Sequence, residues 1–583
     1  MSSVSDIPNS GAVATSRDCF ALVLIIALSY FIARAIYDAY FHPLANCPGP
    51  FIARISTIPN FYHAMKGDRH LWIWQNHQVY GNKVRIQPNE VVFLAPQAHR
   101  DIYGSKANVR RSKSYEAWKT VQEANTALTI DRTAHARKRK ILNQAFTEKS
   151  VKYAATFVIE HTERWIDLLV AEASEDGWTE TRNMTDWNNW LVFDILGDMC
   201  FSRSFEIKEP GPNPIRAIPR LVIRHVQFFY PVRLSSALTQ AAVLEKLFED
   251  TAAGVMHKWK APRLLYCGCT NPSQILQSPF MEFFVWAKPK GLDYLLNLVT
   301  PLEVKTYYNF INDSVSERIK MEQESKDTER HKLDIFHFLC AARDPMTGEP
   351  YSEEALQGEA AMLIVAGSDS TSSVLAGFWF YISRNESAYK RLTTEIRTTF
   401  KSSDEIVTGP KLASCVYLHA CIDESLRAAP AGPSEFAREV LPGGTTINGE
   451  YFPQGVVVGC AHWAMGHNEQ IFGDPNHFRP ERYIPSEATG VTMEDVNRIK
   501  SYYQPFLIGP TNCVGKNIAM MEMALIISRT LFRLDLQAAP GENLGAGHPS
   551  LGWGRRDQNQ YQISDAYITV HEGPMLRFKK RNA

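Results

Sequence analysis

The sequence lacks the marks of a modular chain. After the first fifty residues it has no Gly/Ser tract, no long block of like charge and no low-complexity stretch. No internal repeat is evident either. Its 583 residues are therefore read as one large, mostly helical body, although length alone would allow about three or four domains. Net charge is also missing. The 62 Lys and Arg balance 62 Asp and Glu, which argues against a dedicated nucleic-acid binder. The one basic run, Arg137-Lys138-Arg139-Lys140, reads first as a solvated helix face. The 10 cysteines contain no CxxC pair, and Cys267-Gly268-Cys269 is too isolated for a zinc site. Reduced, mostly buried thiols in a cytosol-facing protein fit that pattern. No GxGxxG follows a strand, so no dinucleotide-binding domain is visible.

A long apolar run is present at the amino end. Cys19 to Ala33 carries no charge, and Arg34 can snorkel near one end. With roughly 20 apolar residues needed to cross a bilayer, residues 19–40 are read as a signal-anchor behind a short tail, 1–18. A cleaved signal peptide is disfavoured because no clear small-residue cleavage site follows. Instead come His42-Pro43 and Cys47-Pro48-Gly49-Pro50. These prolines forbid helix continuation and make 41–50 a stiff hinge before the body, 51–583.

The most specific local feature is Pro505-Phe506-Leu507-Ile508-Gly509-Pro510-Thr511-Asn512-Cys513-Val514-Gly515-Lys516-Asn517. A Gly/Pro-rich turn leads to one cysteine. Ile518, Met521, Ala524 and Leu525 then recur at helical spacing. Cys513 is thus placed at or just before a helix amino terminus, where backbone N–H groups favour a thiolate. Gly509 and Gly515 permit close approach of a flat ligand. A phosphate loop fails on two counts. Five residues separate the glycines, and Asn517 replaces the hydroxyl that would hold magnesium.

Between Glu359 and Arg384 the only formal charge is Asp369, which predicts a helix buried on all sides. A second membrane span is disfavoured by the polar run Ser368 to Ser373. A buried acid must be hydrogen-bonded or functional, and Ser370 and Thr371 put hydroxyls beside it. Gly367 is expected to thin the helix for a flat cofactor. Helix-kinking hydroxyls are the plainer alternative. Glu424 and Arg427 are an i, i+3 pair on a helical stretch, and His135 and Arg139 share another helix face at i, i+4. Asn448-Gly449 signals a hairpin.

FLIGPTNCVG resembles the haem-binding loop F-x-x-G-x-[R/H]-x-C-x-G of the cytochrome P-450 superfamily, and the other motifs fall in that family's order. AGSDST is similar to the oxygen-activation motif [A/G]-G-x-[D/E]-T-[T/S], and Glu424-Ser425-Leu426-Arg427 to ExxR. Phe478-Arg479-Pro480-Glu481-Arg482 resembles the PxRx segment, and His135 with Arg139 the HxxxR motif. The resemblance implies a mainly α fold with small β-sheets, preceded by one transmembrane helix. It implies heme b (iron protoporphyrin IX), with Cys513 as metal ligand and Phe506, Gly509 and Gly515 shaping its loop. It implies haem-propionate contacts from His135, Arg139 and Arg438, a relay through Asp369, Ser370 and Thr371, and a structural Glu424–Arg427–Arg482 network. Two positions depart from the pattern. Thr511 stands where Arg or His is usual, and Ser370 where Thr is usual.

The activity implied is insertion of one atom of O2 into a hydrophobic small molecule, a fungal secondary-metabolite intermediate of terpenoid, polyketide or alkaloid type. Electrons would come from an NADPH-dependent cytochrome P-450 reductase, with cytochrome b5 as a further candidate partner. The place implied is the endoplasmic reticulum membrane, single-pass, with the body facing the cytosol. Residues Ser112 to Ile130 are expected to cover the substrate. Two other readings stay open: a haem-thiolate isomerase or dehydratase that needs no reductase, and a membrane-anchored haem-binding protein without turnover.

Overall fold

The computed structural model describes residues 16–118, 125–213, 302–324 and 334–581, with isolated positions between 215 and 290. The Cys267–Cys269 pair and part of the expected substrate cover lie outside them. An anchor helix, Ser16–Tyr40, opens the described chain. Its segment Phe20–Tyr40 has a mean hydropathy of 2.1, and Phe20 to Ile32 is exposed along its length, as expected of a span whose side chains meet lipid. Only its end is docked, with Asp38 and Ala39 buried and Arg54 donating to the Ala39 carbonyl at 3.0 Å. The chain then turns through 41–50 and enters a short helix, Phe51–Ile55. Beside the anchor, Phe41, Phe51, Ile52, Ile58 and Tyr62 are exposed apolar residues.

The body is mostly helical, with four small sheets among the described residues. Its central member is the long helix Glu353–Arg384, whose Val374–Ile382 stretch is completely enclosed. The helix Met184–Phe201 packs along it. Gly367 sits at that crossing: a Cβ there would stand 3.0 Å from the Leu196 side chain. The glycine thus gives the two helices room to pack closely there. The stretch is also long and apolar enough to cross a membrane, but its burial in the bundle marks it as core.

The largest sheet has five strands in the spatial order Lys83–Gln87, Glu90–Phe93, Val457–Cys460, Arg438–Val440, Val109–Arg111. Its last two strands are antiparallel and put Arg111 directly opposite Arg438. Asn448-Gly449 forms the turn of a hairpin, with Ile447 opposite Glu450 and both turn residues at positive φ. That is the primed geometry that Asn-Gly favours. A second hairpin, Ile563–Ala566 with Ile568–His571, turns on the single residue Tyr567.

Candidate active site

Three elements converge on one cavity: the cysteine loop, the middle of the long helix and the Arg438 end of the five-stranded sheet. Cys513, Ser370, Thr371, Phe506, Arg438 and Arg111 all line it, and it holds about 1190 Å³ of space, part of it open to solvent. Its largely apolar lining is that of a small-molecule site.

The cysteine loop is closed by its own backbone. The Cys513 amide donates to the Phe506 carbonyl at 2.9 Å. Gly509, at φ +70°, opens a short 3-10 turn. A side chain there would collide with the Tyr103 carbonyl, so both its conformation and its surroundings require glycine. Gly515 is the N-cap of the helix Lys516–Arg533. Cys513 is exposed to the cavity. Desolvation by the surrounding protein pushes its thiol up, while the N–H groups of Gly515 and Lys516 and the Arg139 guanidinium favour the thiolate.

Asp369 is 3 % exposed and lies behind the cavity wall. Burial pushes its carboxyl up to about 8, against one hydrogen bond from Ser368. The Ser370 hydroxyl donates to the Ala366 carbonyl at 2.5 Å, one helical turn back. The Thr371 hydroxyl turns toward Glu522, a buried acid on the helix Lys516–Arg533. Burial also pushes Glu522 up to about 8, and its second carboxyl oxygen is buried without a hydrogen-bond partner. Both acids therefore hold protons in the fold that they release in the unfolded chain, from ordinary values of 3.8 and 4.5. The folded state binds more protons between those values and pH 8, so stability falls as pH rises across that window. The expected slope is about 1.4 kcal/mol per pH unit for each group. Glu522→Gln removes one share: urea denaturation from pH 5 to 8 should show a shallower decline in the variant. Parallel profiles would contradict this.

Glu424, Arg427 and Arg482 meet in the core, each at most 2 % exposed. Arg427 grips the Glu424 carboxylate with two bonds, of 2.7 and 2.8 Å. Arg482 reaches the same carboxylate at 3.2 Å, and the Arg479 amide adds a bond of 2.9 Å. The remaining guanidinium donors go to backbone carbonyls: Gly466 and Pro475 for Arg427, and Phe472, Asp474 and His477 for Arg482. Burial opposes the charge on Arg427, but the Glu424 carboxylate outweighs it and holds Arg427 above its ordinary value.

At the sheet end of the cavity, Arg438 donates to Thr511 at 3.0 Å, and Arg111 to the Thr129 carbonyl at 3.0 Å. Both arginines are buried, at 3 % and 9 % exposure. Neither forms an ion pair with a carboxylate among the described residues. Burial, then Arg438, lowers Arg111 to about 10. His135 stands beside them in a smaller adjoining pocket, with Nε2 buried and unpartnered. Its pKa falls to about 3 through burial and then through Arg111, Arg139 and Arg438. Arg139 does not line the cavity. It donates to the Asn512 carbonyl at 2.6 Å and to the Asn512 side chain at 2.9 Å, so it clasps the cysteine loop from outside.

Sequence reasoning missed Arg111, Glu522 and the tyrosines Tyr115 and Tyr567, which also line the cavity. Glu522 had a signal: it is a lone acid in the apolar run IAMMEMALII, like Asp369 in its helix. Arg111 had none, because its neighbourhood depends on strand register.

The order of these elements, with a cysteine loop facing a helix that carries acid and alcohol, is that of a haem-dependent oxygenase. The chain belongs to the cytochrome P450 family, whose model matches residues 48–249 and 276–548. It is 32% identical over 568 residues to cytochrome P450 monooxygenase AKT7 of Alternaria alternata, covering 96% of this chain and 97% of that protein. It is 33% identical over 569 residues to cytochrome P450 monooxygenase fscF of Fusarium equiseti, with 96% of each covered. It is 32% identical over 569 residues to cytochrome P450 monooxygenase poxM of Penicillium oxalicum, with 95% and 94% covered. The protein is thus a monooxygenase with a haem iron cofactor.

The residues present fit that cofactor. Like charges directly opposite each other across two strands are destabilising, and buried cations call for an anion. Arg111, Arg438 and the orphaned His135 nitrogen make such a place for carboxylates. A thiol faces the same cavity, and a sulfur ligand suits a haem iron of this class.

Proposed function

We propose that this protein is a membrane-anchored heme b monooxygenase that oxidises an apolar intermediate of fungal secondary metabolism. The observation that carries this reading is the single cavity whose walls include Cys513, Ser370 and the facing arginines Arg111 and Arg438. When bound, the haem supplies dioxygen activation and transfer of one oxygen atom to the substrate, driven by two electrons. Cys513 would hold its iron through sulfur, presented by a loop that Arg139 clasps and that Gly509 and Gly515 shape. Arg438, Arg111 and His135 would receive the propionates, with Arg111 standing in for the cation that Thr511 does not provide.

Asp369 is the proton source in this reading. Its carboxyl, pushed up to about 8, is largely protonated near neutral pH and can donate. Ser370 is the alcohol that passes a proton into the cavity, while the Thr371 hydroxyl is committed to Glu522. The apolar wall, with Met362, Val374, Ala431 and Ile568, binds the substrate and excludes water. Glu424, Arg427 and Arg482 brace the core behind the loop. The electron donor would be an NADPH-dependent cytochrome P-450 reductase, with cytochrome b5 as an additional donor. The anchor and the exposed apolar residues beside it suit the endoplasmic reticulum membrane, with the body in the cytosol.

Microsomes containing the protein and a reductase, fed extracts of the source organism, should give a product heavier by one oxygen, formed only with NADPH. A product formed without NADPH would favour an isomerase or dehydratase. Haem binding with no oxygen consumed would favour a non-catalytic protein. Ser370→Ala should consume NADPH while losing most of the product. Arg111→Leu should hasten haem transfer to apomyoglobin by about tenfold, the worth of one charge-assisted bond of ~1.5 kcal/mol. Thr511→Arg in that background should slow it again. Equal transfer rates would remove Arg111 from the propionate site.

A further inference from the structure

The hydroxyls around the cavity are mostly spoken for. That of Ser370 goes to the Ala366 carbonyl, that of Tyr503 to the Leu426 carbonyl at 3.1 Å, and Thr511 accepts from Arg438. The Tyr115 and Tyr567 phenols hydrogen-bond to each other. Both rings line the cavity and meet edge to face, with centroids 5.9 Å apart. They come from distant parts of the chain: a 3-10 turn, Lys113–Trp118, and the tip of the hairpin Ile563–His571.

The hairpin tip is built at a cost. Tyr567 has φ +73°, a region a bulky side chain rarely enters and which costs on the order of 1–3 kcal/mol. Several contacts enforce it. The Tyr567 amide donates to Asp565 at 3.0 Å, and Asp565 is fixed in turn by the Ser434 hydroxyl. Thr569 bonds the Ala431 and Pro430 carbonyls at 2.8 and 2.5 Å. The Phe436 ring packs edge-on against Tyr567. A glycine would have made this turn without strain. Strain held in place by so many bonds marks the side chain itself as the thing being positioned. Burial keeps the Tyr567 phenol protonated, well above its ordinary value, so it remains a donor.

We infer that Tyr115 and Tyr567 form a polar anchor that hydrogen-bonds an oxygen substituent, a hydroxyl or carbonyl, on an otherwise apolar substrate. The inference rests on the haem-monooxygenase reading and narrows its substrate class to molecules already bearing oxygen. A reaction that installs such a group must therefore come earlier in the sequence. Phenols both donate and accept, so the couple can open to admit a third oxygen. The aliphatic part of the wall, with Val374, Ala431 and Ile568, offers a polar group no such partner.

The test uses the full-length, haem-loaded protein and a molecular ruler. N-alkylimidazoles with chains of four to ten carbons are compared with the same chains ending in a hydroxyl. The imidazole nitrogen reports binding through the Soret shift whatever the natural substrate is. Wild-type protein should prefer the hydroxyl-ended chain about three- to tenfold at one length or two adjacent lengths, the worth of one hydrogen bond. Tyr115→Phe and Tyr567→Phe should each abolish that preference and leave affinity for the plain chains unchanged. No preference at any length, or a preference that survives both variants, overturns the inference. So does faster haem loss in the phenylalanine variants with the preference intact, which would assign the phenols to a propionate instead. No Soret shift with any imidazole would sink the haem reading itself.

Discussion

Cys513→Ser should abolish oxygenation and erase the red-shifted Soret band of the reduced carbon-monoxide complex. A thiolate on iron produces that band and favours O–O cleavage. A serine hydroxyl has the same reach but neither the polarisable sulfur nor an accessible anionic form. The fold should survive, because Cys513 faces the cavity and the loop is held by backbone bonds and by Arg139. Stability of the haem-free variant should stay within about 1 kcal/mol of wild type, as for a substitution that removes no packing. Difference spectra and thermal melts on the same preparations separate the two effects. A variant that keeps the shifted band would show that another residue holds the iron.

The second large effect is expected at Glu424. Its carboxylate answers two guanidinium groups and a backbone amide in a site closed to water. Glu424→Ala leaves Arg427 and Arg482 buried without their counter-charge, at a cost of about 3–5 kcal/mol. That is a large part of the 5–15 kcal/mol that typically holds a protein folded. The expected result is little soluble protein, and little haem in what is recovered. Arg482→Lys should also be severe, because one ammonium cannot supply the fork that reaches Glu424 and three carbonyls together. Soluble yield and haem-to-protein ratio measure both. A Glu424→Ala protein that melts like wild type would show the network to be dispensable.

How legible all this was in the sequence depended on how local each signal is. The cysteine loop was readable because its glycines, proline and following helix act within about a dozen residues. Asn448-Gly449 was readable for the same reason. Asp369 stood out because a lone acid in an apolar helix needs an explanation, and Glu522 satisfied the same criterion without being noticed. Gly367 also makes room for Leu196, a neighbour that only tertiary packing supplies. Arg111 could not have been found, since a cross-strand partner is set by register between segments more than three hundred residues apart. Tyr567 was hidden likewise, because nothing in its immediate sequence announces a left-handed tyrosine.

The facing pair Arg111 and Arg438 has a consequence for how the protein matures. Two guanidinium groups held side by side repel until an anion comes between them. Whatever supplies that anion binds the finished sheet and not the open chain, so it draws the folding equilibrium with it. Iron and porphyrin supply inside the cell should therefore set how much enzyme accumulates, and not only how much of it is active. Cultures starved of porphyrin precursors would lose the polypeptide itself to proteolysis.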